Sequence, residues 1–219
     1  MLRMLFEKSG CGVWISHLDL MRVFQRAFRR AGLHVRHTQG FNPHAFVSIF
    51  LPLSVGASSQ CEILEYELDD SDIPLDTLPE RLNAFLPAGV RCLEAYQGQR
   101  KLKELVWLRT ETVLEYDNGF PNGLLPELTA LFKREALVVE KKTKNGLNNI
   151  DIAPMLHSLE IRALDEHCAV LEAVVQAQNP PLNPDLLVKA IGTYLPSFAP
   201  DFSKSKRLEI YDANFVIFR

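Results

Sequence analysis

Within residues 2–96 the spacing of apolar side chains changes period four times, between the two-residue repeat of a strand and the 3.6-residue repeat of a helix. Leu2, Met4 and Phe6 alternate with Arg3 and Glu7, which predicts a strand over 2–8. Ser9-Gly10-Cys11-Gly12 reads as a turn, and Val13 to Ile15 as a continuation of the strand. Ser16 is a helix N-cap residue type, and Asp19 stands three residues on, the spacing of a capping box. Leu20, Phe24, Ala27, Phe28 and Ala31 then recur at helical spacing until Gly32. Thr38 to His44 is a loop. Phe46 to Leu51 and Glu62 to Leu68 read as strands joined through Pro52 to Gln60. Pro74 to Phe85 predicts a second helix, and Val90 to Tyr96 a closing strand.

Gln97 to Lys103 is polar and has the character of a linker. The same order of elements then recurs loosely. A strand is predicted over 105–116, a helix over 124–134, and strands over 136–141 and 149–153 around the turn signal Lys144-Asn145-Gly146. Strands over 156–164 and 168–175, a helix over 184–195, and closing strands over 206–211 and 215–218 complete the chain. The expectation is an α+β fold of two tandem ferredoxin-like (β-α-β-β-α-β) domains with mostly antiparallel sheets. Residues 1–98 would form the first and 99–219 the second. No repeat is visible residue by residue, so the duplication is one of topology.

Of the 219 residues, 47% are hydrophobic and 23% charged, the mix of an ordinary globular protein. The longest stretch without a charged residue runs over 37–61 and holds Gly40, Pro43, Pro52 and Gly56, so no membrane span is read there. Arg3, Glu7 and Lys8 crowd the start, and no secretory signal is read. Cys11, Cys61, Cys92 and Cys168 match no metal or redox spacing, which points to free thiols in a reducing cytoplasm. No P-loop, dinucleotide fingerprint, nucleophile elbow or closely spaced cysteine triad occurs. No cofactor or metal is expected, and the acids Glu62, Glu65, Glu67, Asp69 and Asp70 read as a solvated strand face. Lys141, Lys142 and Lys144 read as a solvated turn.

The net charge of −3 conceals an asymmetry. Residues 1–50 hold seven basic against two acidic residues, and residues 51–100 three against nine. Six of the seven bases are arginine, whose planar fork suits phosphate or carboxylate. Arg22, Arg26, Arg29 and Arg30 fall on the helix face opposite Leu20, Phe24 and Ala27. With Ser16, His17 and Asp19 at the helix start they make one candidate binding constellation, in which free amide groups and the helix dipole favour a phosphate. The plain alternative is a capped helix with a solvated basic face. A second constellation is the loop Gly40, Phe41, Asn42, Pro43 and His44. Phe41 there either stacks on a base or plugs the core, and His44 can bond phosphate or ribose.

The stretches Leu2 to Gly10, Ser16 to Arg22, Arg26 to Gly32, Gly40 to His44 and Pro52 to Gly56 together resemble a bacterial family of radical-SAM-associated (radical-SAM-linked) proteins, a domain of unknown function. The resemblance covers roughly the first 70 residues. It implies a partner radical SAM protein, encoded alongside or fused, and a neighbourhood of ribonuclease and ribosomal proteins. It marks Ser16, His17, Asp19, Arg22, Arg26, Arg30, Gly40, Phe41, Asn42, Pro43 and His44 as the functional surface and carries no catalytic residue. Family members commonly place Pro and then a basic residue after the His44 position, whereas Ala45 and Phe46 stand here.

The function expected is a non-catalytic RNA-binding accessory protein that presents rRNA or tRNA to the radical SAM partner. Two alternatives come from other classes. One is a metal-independent ribonuclease with His17 as general base, suggested by a fold-level likeness to the endonucleases that process CRISPR repeats. The other is a protein-interaction subunit whose basic face docks on the partner without touching RNA.

Overall fold

The computed structural model describes residues 1–70, 73–143 and 146–219. Asp72, Lys144 and Asn145, and with them the expected 144–146 turn, lie outside the described residues. The chain divides into two compact units: Met1–Glu104 together with Phe218–Arg219, and Leu105–Ile217. The division falls six residues beyond the linker position read after Gly98, and the last two residues return to the first unit.

In the first unit, β1 (Leu2–Lys8), α1 (His17–Arg30), β2 (Val47–Ile49), β3 (Ser58–Tyr66), α2 (Leu78–Asn83) and β4 (Val90–Gln97) follow one another. The strands pair antiparallel in the order β4-β1-β3-β2. The inward faces of β1 and β3 and the apolar stripe of α1 share one core. Leu20, Phe24, Ala27 and Phe28 of α1 are buried, with Phe24 edge-on to Phe6 at 4.8 Å and Phe28 tilted against Tyr66 at 4.9 Å. Each large side chain so buried contributes about 1.5–3 kcal/mol, which is what holds α1 against the sheet.

Several local readings are corrected. The turn read over Ser9 to Gly12 is present as a 3-10 turn over Gly10–Trp14, and it takes in Val13 and Trp14, both expected to continue the strand. Its Gly12 lies against Gly89 too closely for any side chain: a Cβ on Gly12 would stand 2.4 Å from the Gly89 oxygen. Strand β3 starts at Ser58, four residues early, because Ser59 pairs with Lys8 of β1. Glu62, read as solvated, is 1% exposed on that strand and faces the charge of Lys8, itself 1% exposed. Burial pulls the Lys8 ammonium below its ordinary range, and Glu62 opposes that shift.

Arg3 is also buried. Its Nε donates to Glu65 Oε2 at 3.0 Å, a further N–H reaches the Arg100 carbonyl, and its guanidinium lies 4.9 Å from the Phe50 ring and 5.6 Å from that of Phe218. That contact is part of what ties Phe218 to the first unit. Two of the seven bases in residues 1–50 therefore belong to the interior and not to the basic surface.

In the second unit, β5 (Trp107–Glu115), α3 (Leu124–Phe132), the hairpin β6 (Val138–Thr143) and β7 (Gly146–Asp151), β8 (Leu156–Ala163), β9 (Cys168–Gln176), α4 (Asp185–Tyr194) and β10 (Phe202–Tyr211) follow in order. The sheet runs β10-β5-β9-β8, every pair antiparallel. The expected strand over 215–218 is absent. Asp212 instead closes a turn by accepting from the amides of Asn214 and Val216, and only Tyr211 and Ile217 form a bridge.

Candidate anion-binding cleft

Helix α1 starts as its sequence dictates. Ser16 is the N-cap: its Oγ accepts from the Asp19 amide at 3.2 Å and donates to Asp19 Oδ2 at 2.7 Å. The Ser16 hydroxyl first, then Arg22, hold the Asp19 carboxyl below its ordinary range. Arg22 Nη1 donates to Asp19 Oδ1 at 2.9 Å. The first turn, read as a phosphate receptor, thus already carries a carboxylate of its own, and the dipole there is satisfied.

The open cations lie further along. A cleft of about 630 Å³ runs beside α1, walled by Arg22, Arg26 and Arg29. Its floor is apolar, made by Phe28, Leu33 and Val35. His34, His37 and Asp69 complete the far wall. Among the described residues, no carboxylate lies within ion-pairing distance of Arg26 or Arg29.

The far wall is a ribbon. Asp69 N–H donates to the His34 carbonyl and Arg36 N–H to the Glu67 carbonyl, both at 2.9 Å, while Val35 bridges Leu68. Arg36 also pairs with Glu67 at 3.0 Å. The ribbon then turns back on itself: His37 bridges Ala45, and both line the cleft. The bend carrying Gly40 to His44 springs from between those two residues. Thr38 N–H donates to the His44 carbonyl at 2.8 Å, and the His44 amide donates to Thr38 Oγ1 at 3.2 Å. His44 Nδ1 lies 3.1 Å from the Asn42 carbonyl and 3.2 Å from Thr38 Oγ1, so the imidazole braces the bend. Gly40 takes φ +139°, a conformation side chains disfavour. At the tip Phe41 is fully exposed, so it plugs no core.

Arg22, Arg26 and Arg29 thus line one cleft with His37 and Ala45, the two residues from which the Gly40–His44 bend springs, while the bend residues themselves do not line it. The selected residues Ser16, His17, Asp19 and Arg30 do not line the cleft either. His17 is half-buried at the first helical position and does not line the cleft. Arg30 lies on the other flank of α1. Helix geometry explains the split: relative to Arg22, Arg29 lies at about −20°, Arg26 at about +40° and Arg30 at about +80°. His34, His37, Gln25 and Asp69 were not singled out. The signal available for the first two was only the clustering of histidines in the basic segment.

No curated protein matches the sequence. A solved structure described as a Cbf5-Nop10-Gar1 complex is similar over 95% of this chain and 48% of its own, at 10% identity with a TM-score of 0.54. An archaeal box H/ACA sRNP Nop10-Cbf5 complex aligns over 94% of this chain and 46% of its own, at 10% identity with a TM-score of 0.48. The chain therefore spans about half the length of these structures, and at that identity the likeness of the first is one of fold alone. No helix among the described residues is long and apolar enough to cross a membrane. A family model matches residues 1–184, which includes both the arginine-bearing helix and the bend, and the chain belongs to that family, described as an uncharacterized protein conserved in bacteria (DUF2344).

Proposed function

We propose that the chain is a non-catalytic RNA-binding module whose cleft beside α1 takes the backbone phosphates and whose Phe41 stacks on a base. The observation that carries this is a cleft lined by Arg26 and Arg29, neither of them ion-paired among the described residues, whose far-wall residues His37 and Ala45 bridge at the base of the braced bend that bears the fully exposed Phe41. Guanidinium groups give sequence-independent affinity, and an exposed ring adds a stacking platform that fits unpaired RNA. An apolar floor between cations accommodates the flat face of a nucleotide. Both units are read as ferredoxin-like: in each, four antiparallel strands take the order fourth, first, third, second, once the β6–β7 hairpin is set aside, and the two helices follow the first and third of them. Presentation of rRNA or tRNA to a radical SAM partner rests on the resemblance of the motifs in residues 2–56. Four free thiols support a reducing cytoplasm as the setting. Cleavage by His17 is set aside because that imidazole stands off the cleft. The test is filter binding of structured and single-stranded RNA at about 50 and 200 mM salt. Salt-sensitive micromolar binding that survives chelator without RNA breakage is expected, and salt-insensitive binding or none refutes the reading.

A further inference from the structure

The opposite flank of α1 bears a second groove, of about 450 Å³, with a different character. Val23, Arg26 and Arg30, at i, i+3 and i+7, form one wall. Phe85, Leu86 and Pro87, from the turn that follows α2, form the other. Phe85 is 40% exposed and presents its ring to the groove. Among the described residues no carboxylate lines this groove, and neither Arg26 nor Arg30 is in an ion pair. Pro87 brings no amide donor, so an added strand finds no ladder here.

We propose that this groove docks an acidic, apolar-centred peptide segment of a partner protein. Two guanidinium groups along one wall, facing the apolar wall of Phe85, Leu86 and Pro87, match a segment that offers carboxylates along one side and a leucine or phenylalanine on the other. Guanidinium groups are weakly hydrated and pack well beside apolar side chains, so such a segment is bound with little desolvation penalty. A wholly apolar segment leaves both cations unmatched, and a basic one is repelled. Arg26 lines both this groove and the cleft on the other flank. An occupant that recruits Arg26 here withdraws it from an anion there, so the two ligands weaken each other, and reciprocally.

The test uses the full chain and a fluorescein-labelled synthetic peptide with a central leucine-phenylalanine pair flanked by aspartates and glutamates. A second peptide carries lysine at every acidic position. Anisotropy is expected to show saturable binding of the acidic peptide only. Arg30→Glu and Phe85→Ser should each weaken it about tenfold, the loss of one anchor. Lys101→Gln, at an exposed lysine that lines neither the groove nor the cleft, should leave it unchanged. Arg30 is exposed on the helix surface, so its variant retains the fold, and unchanged thermal melting checks this. Absence of binding, equal binding of the lysine peptide, or equal loss with Lys101→Gln overturns the proposal. Loss of single-stranded RNA binding with Phe85→Ser, as large as the loss of peptide binding, also overturns it, since the groove would then be a nucleic-acid site. Because these readouts use no RNA in the primary titration, their failure is separable from failure of the RNA reading.

Discussion

The side-chain amide of Gln25 donates to the main-chain carbonyl of Ala45 across 3.3 Å, and so ties the arginine-bearing helix to the ribbon from which the Phe41 bend springs. Gln25→Ala is therefore expected to weaken RNA binding a few-fold while leaving its salt dependence as it is, because no charge is lost. Filter binding across a salt series separates the two effects. A changed slope would show that Gln25 does more than position the bend.

Removal of the unpaired arginines has the opposite signature. Each phosphate contact on a single strand contributes about −0.7 to the slope of log affinity against log salt. Arg26→Ala with Arg29→Ala should reduce the steepness by about 1.4 and raise Kd at least tenfold at low salt. Arg22→Ala should do less, because Asp19 already engages Arg22. Equal effects from all three sites would mean that the Asp19 pairing is broken when RNA binds.

Phe41→Ala should cost about 1–3 kcal/mol of RNA affinity, the range for one stacked base. Its thermal melting should match that of the parent, since the ring is fully exposed. Loss of melting temperature without loss of affinity would contradict the stacking role.

Gly89→Ala tests the packing that seats the start of α1. Gly89 has φ +86°, its oxygen accepts from Ser9 N–H at 2.8 Å, and a Cβ there would fall 2.3 Å from the Ser9 oxygen and 2.5 Å from the Gly12 nitrogen. Backbone must shift on both sides, so destabilisation of about 2–3 kcal/mol is expected in urea unfolding. A change below about 0.5 kcal/mol would place the variant among neutral surface substitutions.

Lys8 gives a stability dependence on pH of defined sign. Burial holds its folded pKa below the unfolded value of about 10.5. Between the two values the unfolded chain binds more protons, so the contribution of Lys8 to stability rises as pH climbs through that window. Lys8→Met at neutral pH should destabilise by about 3 kcal/mol, because Glu62 then keeps a buried charge without the ammonium facing it. Lys8→Met with Glu62→Leu should recover most of that loss. A stable single variant would show that another group already compensates Glu62.

Thiol chemistry provides a rapid check of the core. Burial pushes the Cys92 thiol up to about 12, while Cys11 is exposed, its thiol within 3.2 Å of the Ala88 carbonyl. At pH 8 an alkylating reagent should modify Cys11 and leave Cys92 untouched until the chain unfolds, as read by peptide mass spectrometry.

Local patterns in the chain determine β1, α1 with its Ser16 cap and the middles of β3, β5, β8 and β9, because period and capping are properties of neighbouring residues. The period of Leu20, Phe24, Ala27 and Phe28 names the buried face of α1 without reference to anything else. The same local rules misjudged Val13 to Ile15 and Ser58–Cys61. There the deciding contacts were a glycine seated against Gly89 and a pairing with Lys8, both remote in sequence. The charge pattern marked a basic segment, but only tertiary structure decided which bases face solvent: Arg3 and Lys8 turned inward to Glu65 and Glu62, and Asp19 claimed Arg22. The assembly of Arg26 and Arg29 with His34, His37 and the Phe41 bend was likewise decided by the fold, since a cleft has walls from separate elements and no single stretch of sequence encodes the distance between them.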